Sequence, residues 1–429
     1  MSRPMRVLLT CYPERTHFML MVPLAWALRT AGHEVRVACQ PKLVPAVQQA
    51  GLTAVPVGSD RDLWQVVGRV DGPGARTRPG LLPPYDAAEQ DPDTLDLDTL
   101  REGYRVRVAS THKMSNAPLT AALVAYARHY RPDLVLWEPL TFAGAVAAQA
   151  VGAAHARMLI GADVHGVTRH HFRRLAAARA AGPGADPLAD WLGGYARKYG
   201  HDFTEELVTG QLSVDALPPS LQEHAPGLDY RSLRSTPYGG PAVVPRWLWR
   251  EPERPRVALT LGLTVTDHAI GLPIDVAEIL DAVADLDIEL VATVKDEVRA
   301  KLPHIPDNAR LVPYVPMQAL LPTCQAVIHH AGVGTLNTAA FYGVPQLALP
   351  WDVDQPMLAG KLAAHGAGLA RHSTKATGAF VREAVLRLLS EESFRRRAEA
   401  LRQEMDATPH ANELVGRLEA LPRGSWSGR

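Results

Sequence analysis

From Ala326 to Pro356 the chain reads AVIHHAGVGTLNTAAFYGVPQLALPWDVDQP, and few folds can accommodate that stretch. A short apolar run, Ala326 to Ile328, ends in His329-His330 and two spaced glycines, Gly332 and Gly334. A helical pattern follows from about Thr335 to Tyr342, and a second apolar run ends at Pro350. Strand, tight turn, helix and strand make the βαβ unit of a parallel sheet. The glycines fall where strand gives way to helix, so no side chain keeps an anion from the first free N–H groups of the helix. Those groups and the helix dipole make a phosphate site. The candidate cradle is His330, Ala331, Gly332, Val333, Gly334 and Thr335, with the His330 imidazole as an added donor. Asp354 and Gln355 follow the second strand and offer an acceptor and a mixed donor/acceptor suited to sugar hydroxyls. Phosphate on one side and a polyol on the other suggest a nucleotide diphosphate sugar.

At 429 residues the chain exceeds one ordinary core, and two α/β domains of about 200 residues each fit its length. Lys plus Arg and Asp plus Glu are equal at 45 each. A nucleic-acid surface is therefore not indicated. Cys11, Cys39 and Cys324 are an odd, scattered set with no metal or disulfide spacing, which points to a reducing cytoplasm. Phe18 to Leu28 is apolar, follows Arg3, Arg6 and Arg15, and contains Ala25-Trp26-Ala27, a mimic of a signal-peptidase site. Met5 to Thr10 already reads as a strand, however, so cleavage would remove the first β-α unit, and a secreted protein is not expected. The Ala-rich stretch from Leu140 to Ala162 is interrupted by Gln149, His155 and Arg157, so no membrane span is expected there.

The first domain, expected over residues 1–237, opens with a strand at Arg6 to Leu9, a helix at Met19 to Ala31 stopped by Gly32, and a strand at Glu34 to Ala38. A short helix, Leu43 to Ala50, and a strand, Thr53 to Val57, extend a parallel sheet. Asp71 to Asp96, rich in Pro, Gly and Asp, reads as a long loop. Helical patterns run around Tyr104 to Tyr130, and Asp133 to Trp137 is a strand. Residues 238–255 carry Pro241, Pro245, Pro252 and Pro255 without helical period, and form the expected linker. The second domain, 256–429, restarts with a strand at Arg256 to Leu261, a helix at Ile274 to Leu286 and a strand at Ile288 to Thr293. Phe380 to Met405 reads as a charged amphipathic helix, and the chain from Arg423 as disordered. Two such halves face each other across a cleft, with ligands at the carboxyl ends of strands.

His17 lies between the first strand and its helix, at one of those carboxyl ends. It can serve as a base near neutrality or be a surface-loop histidine. Glu138 follows the strand DLVLW, where it can orient such a histidine or cap the next helix. Gly262 and Thr264 close the first strand of the second domain and can touch phosphates or simply form a turn. Tyr314 can stack on a pyrimidine or pack on the core, with Val315 offering backbone groups to the base edge. His165, His170 and His171 lack the Cys or carboxylate spacing of a metal site and are read as surface residues.

The joint spacing of HHAGVGT, GVPQ and a proline followed by DQ resembles the donor signature of the family-1, GT-B-fold nucleotide-sugar glycosyltransferases. ERTHFMLMVPLAWALRTAGHEVRV is similar to that family's N-terminal signature, whose histidine is the general base. The resemblance thus implies two Rossmann-like domains, His17 as base with Glu138 where members often carry an aspartate, and donor contacts from Gly262, Thr264, Tyr314, Val315, His330, Gly334, Thr335, Asp354 and Gln355. Plant members place a ribose-binding glutamate at what is here Thr338, so that contact is absent. VPLAWALRTAGHEVRV, RPDLVLWEPLTF, DPLADWLGGYARKYG and LPTCQAVIHH look like the bacterial subgroup that attaches dTDP-deoxysugars to macrolide and aromatic polyketide antibiotics. The resemblance implies an inverting hexosyl transfer to a polyketide aglycone, with no metal or other cofactor beyond the dTDP-sugar co-substrate. It also raises one partner, a haem-free cytochrome-like helper protein; a second copy in a homodimer is a further candidate that the resemblance does not supply. Some members of this subgroup lack the Asp-Gln pair that this chain keeps. Two rivals stand beside this reading: a catalytically silent nucleotide-sugar-binding partner of another transferase, and a nucleotide-sugar epimerase of the same fold.

Overall fold

The computed structural model describes residues 3–60, 80–179, 185–262 and 275–423. Among them the backbone forms two all-parallel sheets. The first contains β1 (Arg6–Thr10), β2 (Glu34–Cys39), β3 (Thr53–Pro56), β4 (Leu134–Trp137), β5 (Ala154–Met158), β6 (Ser213–Asp215) and β7 (Tyr230–Ser232). The second contains β8 (Arg256–Thr260), β9 (Glu289–Thr293), β10 (Ala309–Val312), β11 (Ala326–His329), β12 (Gln346–Ala348) and β13 (Gly368–Ala370). Their orders are β3-β2-β1-β4-β5-β6-β7 and β10-β9-β8-β11-β12-β13. In each sheet the order reverses once, between β1 and β4 and between β8 and β11. A crevice opens at the carboxyl ends of the two strands flanking each reversal.

The sequence explains the layering. β4 is LVLW and every residue in it is buried, as expected for a strand covered on both faces. Helix α1 (Arg15–Thr30) buries Phe18, Met21, Val22, Leu24, Ala25 and Leu28, so the apolar run that mimics a leader is the inner face of the first crossover. Next come α2 (Val44–Gln49), α3 (Leu97–Arg107), α4 (Lys113–Tyr130), α5 (Ala143–Gln149), α6 (Val164–Ala178) and α7 (Pro187–Lys198). The second sheet carries α8 (Val276–Ala282), α9 (Val333–Phe341), α10 (Gln355–His365), α11 (Gly378–Ser390) and α12 (Glu392–Asp406), and α13 (Ala411–Glu419) is the last helix among the described residues.

Four details differ from the sequence reading. The pattern over Tyr104 to Tyr130 is two α-helices joined by a π-helical turn, Val108–His112, in which each turn takes in one extra residue. Phe380 to Met405 is not one helix, because Glu391 leaves the helical region at φ −86°, ψ 107° and separates α11 from α12. Within the long loop, Tyr85–Glu89 is a 3-10 helix that packs on α6, while residues 71–79 lie outside the described part. The fourth is at the C-terminal side. Residues 256–429 were expected to form one domain, yet α13 leaves the second sheet and buries Leu414, Val415 and Leu418 in the core beneath α1. Glu419 lies 3.1 Å from the buried His33, and Arg423, expected to be disordered, ion-pairs with Asp133. Apolar burial under the first sheet draws this segment back.

Candidate active site

β1 and β4 run side by side, with Thr10 opposite Trp137, so the residues just past them emerge together. His17, expected in the loop ahead of a helix starting at Met19, sits in the first turn of α1 because that helix already begins at Arg15, and Glu138 follows directly after β4. Nδ1 of His17 lies 3.8 Å from Oε2 of Glu138, an ion-pair separation longer than a hydrogen bond. Glu138 is fully buried. Its Oε1 accepts from the Tyr12 N–H at 2.8 Å and from the Thr141 hydroxyl, and its Oε2 accepts from the Leu140 N–H at 3.0 Å. Burial alone would push this carboxyl up, but His17, Thr141 and the Leu140 N–H outweigh it and hold Glu138 below the usual carboxylate range. Glu138 therefore faces His17 and ties down its own loop, but it does not cap the following helix, whose first N–H groups go to Asn116 and to the Thr141 carbonyl.

The second switch point is built the same way, with Thr260 of β8 opposite His329 of β11. Gly262 follows β8 in the left-handed region at φ 86°, and Thr264 lies outside the described residues. The His330 ring is held between Gly262 and Gly332, where a methyl group at either glycine would run into the imidazole. Burial lowers His330 to about 4, so at neutral pH it can donate a proton only as a neutral ring. Its Nδ1 is buried without a hydrogen-bond partner. The backbone itself is shaped for this turn: Ala331 takes φ 65°, a strained value for a residue with a side chain, and its N–H donates to Nδ1 of His329 at 3.0 Å. Gly332 caps α9, and the N–H groups of Val333 and Gly334 open its first turn. The Thr335 N–H instead bonds back to the Gly332 carbonyl at 3.1 Å.

Asp354 joins the two halves. It precedes α10, and its carboxylate rests on Gly161, at the loop after β5, where the Ala162 N–H donates to it. Burial raises this carboxyl to about 6 despite that bond and the field of His17; Glu89 adds to the rise. A methyl at Gly161 would also come within 3.5 Å of Val333. His17, the glycine turn after β11 and Asp354 thus surround one cleft. Gln355 is turned inward, its Oε1 accepting from the Trp351 N–H at 3.3 Å.

Tyr314 does not pack on the core. The residue is 43% exposed, and its hydroxyl donates to the Gly239 carbonyl of the interdomain segment at 3.2 Å. Val315 is buried, which leaves its backbone as the part able to meet a base edge. Thr338, buried in α9, spends its hydroxyl on the Gly334 carbonyl at 2.6 Å.

His165 is not a surface residue. It is buried among Tyr85, His112 and Phe142, with its ring centroid 4.2 Å from that of Tyr85, and burial lowers it to about 4. His170 and His171 are half-buried and line a cavity of about 770 Å³ with Arg174, Glu89, Met357 and Lys361, between α6 and α10. Pro356, directly after Gln355, also lines that cavity. Sequence reading missed Gly161 and Ala162. Their loop is set by a buried network in which Arg157 pairs with Asp163 at 2.5 Å and Asp163 accepts from the Tyr230 hydroxyl at 2.7 Å. A charged residue inside the strand AHARM is the one sequence signal that pointed there.

Two Rossmann-type sheets opening on a shared cleft define the GT-B fold. The chain belongs to the erythromycin biosynthesis protein CIII-like family, whose N-terminal domain model matches residues 26–262 and whose C-terminal domain model matches residues 277–421. It is 43% identical to 10-deoxymethynolide desosaminyltransferase of Streptomyces venezuelae over 97% of each chain. It is 44% identical to aklavinone 7-beta-L-rhodosaminyltransferase of Streptomyces galilaeus over 97% of this chain and 96% of the relative. The glycosyltransferase VinC, solved in complex with dTDP, superposes with a TM-score of 0.85 at 43% identity, covering 96% of this chain and 98% of VinC.

Proposed function

We propose that this chain is an inverting glycosyltransferase that moves a deoxyhexose from a dTDP-sugar to a polyketide aglycone, macrolide or aromatic, in antibiotic biosynthesis. The observation that carries this reading is the meeting of His17 and Glu138, after β1 and β4, with the glycine turn after β11 and with Asp354 across one cleft. The donor's diphosphate lies on the first turn of α9 with His330 as a neutral N–H donor, and the pyrimidine stacks on the exposed Tyr314 ring. His17 takes the acceptor hydroxyl's proton as that oxygen attacks the anomeric carbon from the face opposite the leaving diphosphate. Glu138 balances the imidazolium that forms. Charge developing on the leaving group meets helix N–H groups and His330, so no step of the reading runs through a metal.

Asp354 and Gln355 read hydroxyls of the sugar, and the apolar, Trp- and Met-bearing first domain suits an apolar acceptor. A silent sugar-nucleotide-binding protein has no use for a base oriented by a buried carboxylate, and an epimerase has none for an apolar acceptor domain. No helix among the described residues is long and apolar enough to cross a membrane, and the free thiols of Cys11, Cys39 and Cys324 support a place in the cytoplasm. A mass-spectrometric screen tests the reading: purified protein, dTDP- and UDP-sugars and a panel of polyketide aglycones, with and without a haem-free cytochrome-like helper. A product heavier by one deoxyhexose, formed with dTDP donors, is expected. Donor binding without transfer under every condition would overturn it. Size-exclusion chromatography of the same sample tests the homodimer.

A further inference from the structure

Glu138 has two oxygens and a buried position, and which oxygen faces His17 is decided by its donors. Oε1 is occupied twice, by the Tyr12 N–H and by the Thr141 hydroxyl. Oε2, which takes one backbone bond from Leu140, is the oxygen left toward His17. The Thr141 hydroxyl is the side-chain donor in this set, one turn of chain beyond the carboxylate it holds. The loop that carries both residues is clamped from α4: Asn116, itself buried, donates to the Leu140 carbonyl at 2.9 Å and accepts from the Ala143 N–H at 2.9 Å. Asn116 also donates to the His112 carbonyl at 2.9 Å, so the clamp is fastened to the last residue of the π-helical turn. The extra residue in that turn changes which face of α4 meets the loop.

We propose that Thr141 is a positioning residue for the transfer: its hydroxyl fixes the Glu138 carboxylate so that Oε2 addresses His17, with Asn116 holding the loop in register. This rests on the reading of His17 and Glu138 as base and orienting carboxylate. Without the hydroxyl, Oε1 keeps only the Tyr12 N–H and Oε2 only the Leu140 N–H, so the carboxylate is held by two backbone bonds and its tilt toward His17 is less firmly set. The imidazolium formed in the transition state then loses its fixed counter-charge, while the ground-state donor complex, built on the other domain, is unaffected.

The test uses full-length protein with a dTDP-sugar and acceptor from the screen above. Thr141→Val, close in shape, is expected to lower kcat about tenfold with the donor KM and the dTDP Kd within about twofold of wild type, the pattern of an interaction made only in the transition state. Thr141→Ser is expected to restore kcat to within about twofold, since it returns the donor. In a Glu138→Gln background, Thr141→Val is expected to cost less than about twofold more, because both changes act through one group. Wild-type kcat in Thr141→Val, or a full tenfold loss added on top of Glu138→Gln, would overturn the proposal. His17→Ala and Glu138→Gln alone separate the two levels. If either keeps wild-type turnover the base pair itself is wrong, whereas loss in both with normal Thr141→Val sinks Thr141's role and leaves the pair standing.

Discussion

His17 occupies the first turn of α1 beside a carboxylate that three donors hold in place. His17→Ala is expected to lower turnover at least about 100-fold while dTDP binding, measured by calorimetry, stays within about twofold. Unchanged turnover would remove the base from the mechanism. Asp354 gives a pH prediction with a definite sign. Burial raises it to about 6, above its value in an unfolded chain, so the native state retains a proton that the unfolded state gives up. Its contribution to stability is therefore present below the unfolded pKa and is lost as pH rises through about 6. Asp354→Asn, which keeps the shape and cannot ionise, should gain stability over wild type between pH 5 and pH 7 in thermal melts of the ligand-free protein. Equal differences at both pH values would contradict the burial of that carboxylate. The identity of Asp354 as a cleft residue was legible from its spacing after GVPQ, but its seat on Gly161 was not. That contact joins residues far apart in the chain, and a lone glycine after a strand carries no mark of what leans on it.

At the scale of elements, the chemistry depends on the turn at the carboxyl end of each strand. The glycine turn before α9 was legible because glycine spacing between an apolar run and a helical period has few other uses. The strands were legible for the same reason, their apolar runs being short and bounded by turn residues. The π-helical turn was not, because VASTH has no composition that separates it from an ordinary turn of helix; packing of Tyr85 on His112 and of Asn116 on the 140–143 loop accompanies it instead. Gly332 offers the clearest test of the cradle. A methyl there would strike the His330 ring, so Gly332→Ala should weaken dTDP binding about tenfold or more by moving a donor off the phosphate. Calorimetry on a folded variant checks this, with circular dichroism confirming that the fold is kept. A wild-type Kd would mean that His330 and the turn do not meet the diphosphate.

For the whole molecule, the two sheets and the proline-rich segment between them could be read from length, repeated βαβ patterns and the change of composition near residue 240. The destination of α13 could not. Its period shows an apolar face formed by Leu414, Val415 and Leu418 but does not say which domain receives it. Leu418→Ala is expected to cost about 2–4 kcal/mol as the buried side chain is removed, read as a shift of the urea midpoint. The loss should appear in the unfolding of the first sheet, followed by Trp137 and its neighbours, and a transition confined to the second would show that α13 does not support the first.

Because α13 is made only after the whole second sheet, synthesis order and folding order part company here. A growing chain can lay down β1 to β7 long before the segment that covers α1 leaves the ribosome. Until then the surface later covered by Leu414, Val415 and Leu418 stays open, and the first domain waits on the second to be sealed. The same return fastens the halves at two places, once through 238–255 and once through 407–410. The halves are therefore joined by two covalent crossings instead of one, so cutting the chain within 238–255 would still leave them linked through 407–410.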